Sequence, residues 1–215
     1  MRNEIKVNNT PKDGIINEII EFEWEMFDKV HNQGGRAGCQ DDEWTFYVMR
    51  FSQFSAFPLE MLSSYRQDLL EAAGEGRNLL MEKYAYMMEY TEPDYFNGTL
   101  RGLLPKISPK KSELVEKTAD ILVKCEQAFG LRYPAISGRG RELAGNNSAD
   151  VSFRVYTVGE LKTYSERTLN ICYRHLQGIN PEAEWENPSF KIHAATVEFY
   201  GYKSLNDAEI KIKGA

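Results

Sequence analysis

Residues 21–42 read EFEWEMFDKVHNQGGRAGCQDD. Extended back to Gly14, the run as far as Gln33 repeats apolar residues at the spacing of one helix face. Ile15, Ile19, Phe22, Met26 and Val30 share a side. Ile16, Ile20 and Phe27 widen it, and Trp24 lies at its edge. Glu18, Glu21, Glu25 and Asp28 take the opposite face. Glu23 breaks the pattern, projecting from the middle of the apolar arc between Ile16, Ile19 and Val30. A carboxylate in that position must be paired, metal-bound or protonated, because an unpaired buried charge costs several kcal/mol. Two roles fit it: half of a structural ion pair, or an acid, base or ligand in a site.

Gly34-Gly35 is expected to end this helix, since glycine takes the left-handed C-cap conformation at little cost. Asp41 or Asp42 can cap the next helix. Arg36 and Cys39 fall in the joint between them, a candidate pocket rim.

Working outward, a second helix is predicted over 41–57, ending at Pro58. Trp44, Tyr47, Phe51 and Phe54 form its stripe, widened by Phe46 and Phe57. Arg50 sits inside that stripe, placed to pair with Glu43 or Glu23 or to stack on a ring. A third helix over 59–73 turns Leu62, Tyr65, Leu69 and Ala72 inward. The fourth, 77–90, is apolar around most of its circumference and is placed centrally. Lys83 interrupts its arc near Leu80 and Met87. A short helical or turn segment covers 92–104. Ser108-Pro109 opens another helix, with proline at its first position and Gly130 as its stop.

The stretch 133–150, YPAISGRGRELAGNNSAD, carries three glycines and no sustained periodicity. Arg139 and Arg141 lie between glycines, where a mobile loop or a ligand-closing lid could hold an anion. No phosphate-loop pattern is present. The next helix is predicted over 158–176. Leu161, Tyr164, Thr168, Ile171, Cys172 and His175 share its inner face, with Glu160 at the edge. Residues 189–203 fit either a helix or an extended segment. Ser204, followed by Asp207, suggests a capped final helix. The fold class is therefore mainly α: an irregular bundle of six to eight helices, read as a single domain from residue 11 behind a polar arm over 1–10.

Composition narrows the function classes. A chain of 215 residues that is 42% hydrophobic can bury a sizeable core. A net charge of −6 with mixed signs argues against nucleic-acid binding, which leans on phosphate neutralisation. No apolar run approaches a membrane span, and the N-terminus is too polar for a signal peptide. Three cysteines without a CxxC pair read as reduced thiols in a cytoplasmic protein.

The segments EFEWEMFDKV, GGRAGCQDD, FYVMRFSQF, GRNLLMEKYAYMMEY and GELKTYSERTL together resemble a bacterial family known as domain of unknown function four-one-two-five. The similarity runs over about residues 15–176. Some members of the family it resembles are fused to a nucleotidyltransferase-like domain, which this chain lacks. The resemblance therefore implies traffic with nucleotides or a small-molecule acceptor by association, and it transfers no catalytic role to any residue.

Several chemistries lack an anchor. There is no GxSxG for serine hydrolysis, no HExxH or paired CxxC for zinc, and no matched Glu-x-x-His set for a di-iron bundle. Cys39 is the best thiol candidate, beside Arg36 between helix ends. The remaining constellation is Glu23, Arg36, Arg50, Lys83, Glu160 and His175, with Tyr164. Converged, these could bind an anionic metabolite or nucleotide. The cations, with Arg139 and Arg141, would grip it, Glu23 or His175 would move a proton, and Tyr164 would orient. The favoured expectation is a small-molecule enzyme, its cofactor unassigned. The alternative is a non-catalytic accessory module for a protein partner such as a nucleotidyltransferase, or a homo-oligomer. An open polar cavity favours the first, and a sealed network favours the second.

Overall fold

The computed structural model describes residues 10–30, 35–143 and 151–214. The predicted polar arm, apart from Thr10, the Gly34 stop and the 144–150 part of the Gly/Arg loop lie outside these residues.

Local signals start most of the long helices. In α1 (Pro11–Asp28), Thr10 and Asp13 form a reciprocal capping box and Pro11 occupies the first turn. A single 3-10 turn (Gly38–Asp41) leads to α2 (Glu43–Ser55), capped by Asp42. Then come α3 (Leu59–Gly74) after Pro58, and α4 (Leu79–Thr91), capped by Asn78. The one-turn α5 (Pro93–Tyr95) runs into a five-residue π-helix, Phe96–Leu100. The longest helix, α6 (Pro109–Arg132), is capped by Ser108, and the short α7 (Pro134–Ser137) follows it. Ser152 caps α8 (Phe153–Thr163) and Ser165 caps α9 (Glu166–Leu176). Asn187 caps α10 (Pro188–Phe199), and Ser204 caps α11 (Leu205–Lys213). In each capped case a side-chain oxygen accepts a backbone N–H that the first turn leaves without a partner.

The mainly α class holds, with no strand among the described residues. The expected count of six to eight helices is low, because eleven α-helices are present among the described residues. One reason is the stretch predicted as a single helix over 158–176. It is two helices, broken where Tyr164 and Ser165 take extended backbone angles. Another is 189–203, where the extended alternative gives way to α10. Gly130 does not stop α6, which continues to Arg132. A Cβ at Gly130 would meet Ser137 Oγ at 2.9 Å, so the glycine admits α7 against α6. The first helix is shorter than predicted, ending at Asp28 before the diglycine.

The main core is built by α1, α2, α3, α4, α8 and α9, with one face of α6. Ile16, Ile19, Phe54, Met61, Leu62, Leu69, Val115, Leu169 and Leu176 lie fully inside it. A second cluster of Phe129, Tyr133, Ile136, Phe190, Val197 and Ala208 joins the end of α6 to α7, α10 and α11. Helix α4 packs closely on α8. Gly159 permits this approach: a Cβ there would stand 2.6 Å from Met87 Cγ and 3.0 Å from the Lys83 carbonyl oxygen. That close packing places Glu160 of α8 beside Lys83 of α4.

Candidate functional site

Five of the residues singled out from the sequence meet at the centre of the bundle: Glu23, Arg50, Lys83, Glu160 and Tyr164. Arg50 is the hub. Its Nε donates to Glu23 Oε2 at 2.6 Å, and its Nη2 donates to Glu23 Oε1 in a two-point fork. Its Nη1 donates to Gln53 Oε1 at 2.7 Å and to Glu160 Oε2 at 3.1 Å, and Nη2 also reaches Glu160 Oε1 at 3.4 Å. All five guanidinium hydrogens are thereby directed at an oxygen. The guanidinium carbon also lies 4.5 Å from the centre of the Phe54 ring.

Glu160 is held from four sides. Lys83 Nζ donates to Oε2 at 2.6 Å, while Gln53 Nε2 and Tyr164 Oη donate to Oε1 at 2.6 and 3.0 Å. Arg50 completes the set. Tyr65 Oη donates to Glu23 Oε1 at 2.7 Å, and its ring packs on that of Tyr164 with centroids 4.8 Å apart. Two carboxylates and two cations balance each other.

The network is closed to solvent. Glu23 is 0% exposed, Lys83 2%, Tyr164 3%, and Arg50 and Glu160 4% each. Burial alone would raise the Glu160 carboxyl, but Arg50 and Lys83 outweigh it and hold the group far below the ordinary carboxylate range. Burial would likewise lower Arg50 and Lys83. The Glu160 carboxylate, joined by Glu23 at Arg50, raises both instead. The hydroxyls of Tyr65 and Tyr164 are pushed well above their usual range by burial, so they remain protonated donors. Among the described residues the one buried side-chain polar atom without a partner is Ser52 Oγ, outside this set.

Three members were not anticipated from sequence. Gln53 lies one turn beyond Arg50 on α2, a spacing that could have announced it. Helical periodicity turns the Tyr65 ring inward but says nothing of a partner for its hydroxyl. Tyr156 precedes the predicted helix start and carries no signal of its own. Lys83 Nζ lies 3.5 Å from the centre of the Tyr156 ring, and the exposed Arg141 guanidinium lies 4.6 Å from it. Tyr156 thus connects the buried charges to the predicted Gly/Arg loop. Arg139 is exposed nearby in sequence, after α7.

The other predicted residues stand elsewhere. Arg36 staples the α1–α2 joint, donating to Asp28 Oδ1 at 2.7 Å, Asp41 Oδ1 at 2.8 Å and the Gln40 carbonyl at 2.7 Å. Cys39 is exposed. His175 is half-buried against Phe57, and burial followed by Lys191 and Lys12 lowers its pKa. It does not join Tyr164, because the break between α8 and α9 ends their common helical register. Two distant groups hold that break. Lys111 Nζ donates to the Lys162 carbonyl at 2.8 Å at the end of α8, and Asp68 Oδ2 accepts the Ser165 N–H at 2.9 Å at the start of α9. A cation thus closes a helix C-terminus and an anion an N-terminus, as the helix dipole favours.

Among the described residues no three His, Cys, Asp or Glu side chains converge as metal ligands. No helix among them is long and apolar enough to cross a membrane. No curated protein and no solved structure matches the chain. A family described as "Protein of unknown function (DUF4125)" matches residues 13–210, which include every residue of the buried network, and the chain belongs to that family.

Proposed function

We propose that the chain is a non-catalytic binding or accessory module acting on a protein partner, and that its buried charges are the clamp of the fold. The observation that carries this reading is the closure of the Glu23–Arg50–Glu160–Lys83 network. Its charges cancel, its donors and acceptors satisfy one another, and water does not reach it. A site that binds and releases an anion needs a free cation and a path to solvent, and Arg50 supplies neither. A partner such as a nucleotidyltransferase would meet the outer surface. There Trp44, Tyr47, Phe51 and Phe199 form contiguous ring contacts and Trp44 is exposed.

A second reading, an enzyme or sensor for an anionic metabolite, is favoured by the Arg141–Tyr156–Lys83 string. An anion gripped by Arg141 would stand one aromatic ring from the buried ammonium.

Native mass spectrometry of freshly purified protein, compared with its denatured mass, separates the two. The module reading expects no small-molecule adduct in the wild-type chain. An adduct present in wild type and lost in Arg141→Ala, with the fold intact by circular dichroism, would replace it with the metabolite reading.

A further inference from the structure

We propose that the face formed by the C-terminal half of α6 and the turn over 180–187 is a two-fold contact between two copies of this chain, with Trp185 of each seated in a groove on the other. This inference uses different residues from the buried network and stands apart from the reading above.

The groove lies where Lys124, Gln127, Ala128 and Leu131 of α6 face Pro181 and Glu182 of the turn. Ala128, Leu131 and Pro181 supply its apolar lining, and Lys124, Gln127 and Glu182 its polar lining. The turn that forms one side is firmly held. Asn187 Nδ2 donates to the Cys125 carbonyl at 2.9 Å and to the Pro181 carbonyl at 2.7 Å, and Glu186 accepts the Asn180 N–H at 3.0 Å. Glu184 pairs with Arg132 at 2.6 Å, fastening the turn to the end of α6. Trp185 and Leu131 are the chain neighbours of that ion pair. They are 76% and 77% exposed, among the most solvent-exposed large apolar side chains of the described residues. An indole displayed on a turn fixed in this way loses little conformational entropy on docking, which suits it to be an interface anchor.

The charges identify the occupant. Lys124 stands on one wall of the groove and Glu182 on the other. A partner presenting one sign of charge would leave one of them opposed. A two-fold operator instead carries Lys124 of each copy toward Glu182 of its mate, so both are matched. The knob belongs to the same turn that walls the hollow, since Trp185 follows Pro181 and Glu182 by three to four residues. A self-complementary face of this kind closes at two copies, whereas a knob and hollow on separate faces would propagate a fibre.

Sedimentation equilibrium of the full chain tests this. Wild type is expected as a dimer. Trp185→Ala should weaken dimerisation about thirtyfold or more, the scale of a buried hot-spot tryptophan. Lys124→Glu and Glu182→Lys should each weaken it, and the chain carrying both reversals should dimerise like wild type. All three positions are exposed, so the monomer's thermal midpoint should not move and serves as the folding control. A monomeric wild type, a dimer indifferent to Trp185→Ala, an open-ended polymer, or a double reversal that fails to restore pairing each overturns the proposal.

Discussion

Tyr164 lies one residue past the end of α8 and turns its hydroxyl back onto Glu160 Oε1, 3.0 Å away. The donor belongs to the break between helices and the acceptor to the last turn of the helix before it. Replacing Tyr164 by phenylalanine keeps the ring contact with Tyr65 and removes this one bond to a buried carboxylate. The expected loss is about 1.5–3 kcal/mol of folding stability, read from urea denaturation, with secondary structure unchanged.

Arg50→Met leaves Glu160 paired with Lys83 alone and leaves Glu23 a buried carboxylate with no cation, held only by the Tyr65 hydroxyl. The expected cost is about 3–5 kcal/mol, the usual penalty for breaking a buried pair from one side. Removing Glu23 as well, in Glu23→Leu with Arg50→Met, deletes one charge of each sign and leaves the Lys83–Glu160 pair. The double variant should therefore be more stable than the sum of the two single losses. A double-mutant cycle in urea that returns simple additivity would show that the two side chains do not act as a pair.

The legible part of this site was the part written in helical periodicity. Glu23, Arg50 and Lys83 each interrupt an apolar arc at a spacing that local sequence alone specifies. The break at Tyr164 and Ser165 was not legible, because no glycine or proline marks it. It is held by Asp68 and Lys111, which stand 97 and 51 positions away along the chain from the groups they bind. Uninterrupted helical periodicity places His175 on the face of Tyr164, and the break is what removes it from there. Gly130 misled for a related reason: its missing Cβ serves a neighbouring helix, and its own helix continues. Tyr156 and Gln53 reach their partners only through tertiary packing.

Stability should fall on acidification in two stages. The folded-state pKa of His175 lies below its ordinary 6.5 through burial and the nearby lysines. The unfolded chain therefore binds this proton more readily, and stability is complete above 6.5 and declines below it. The folded-state pKa of Glu160 lies below its ordinary 4.5, so its contribution is complete above 4.5 and is lost as the pH falls through the folded value. Denaturation midpoints measured from neutral to acid pH should show both stages. His175→Gln should remove the first and leave the second.

Gly159→Ala should destabilise the chain by about 1–3 kcal/mol through overpacking, since the new methyl would meet Met87 Cγ and the Lys83 carbonyl oxygen. Shortening Met87 to alanine in the same chain relieves the side-chain clash and leaves the backbone one. Thermal denaturation should accordingly show the double variant recovering part of the loss relative to Met87→Ala alone.

Thiol titration should find one fast-reacting cysteine in the native protein and three after denaturation. Cys39 is exposed, whereas burial raises Cys125 to about 11 and Cys172 to about 12. Cys39→Ser should abolish the fast phase. A second fast thiol in the native state would place Cys125 or Cys172 at the surface.

Arg50 draws α1, α2 and α8 to one point, and Lys83 adds α4. The closing contacts span up to 110 residues of chain. A partly assembled chain that has joined only α1 to α4 holds one carboxylate and two cations, Glu23 against Arg50 and Lys83. It cannot expel water from that centre without stranding an ammonium. Dehydration of the core must therefore wait for Glu160 to arrive on α8. The N-terminal helices and α8 should gain protection from hydrogen exchange in the same kinetic step, because neither half can become dry alone.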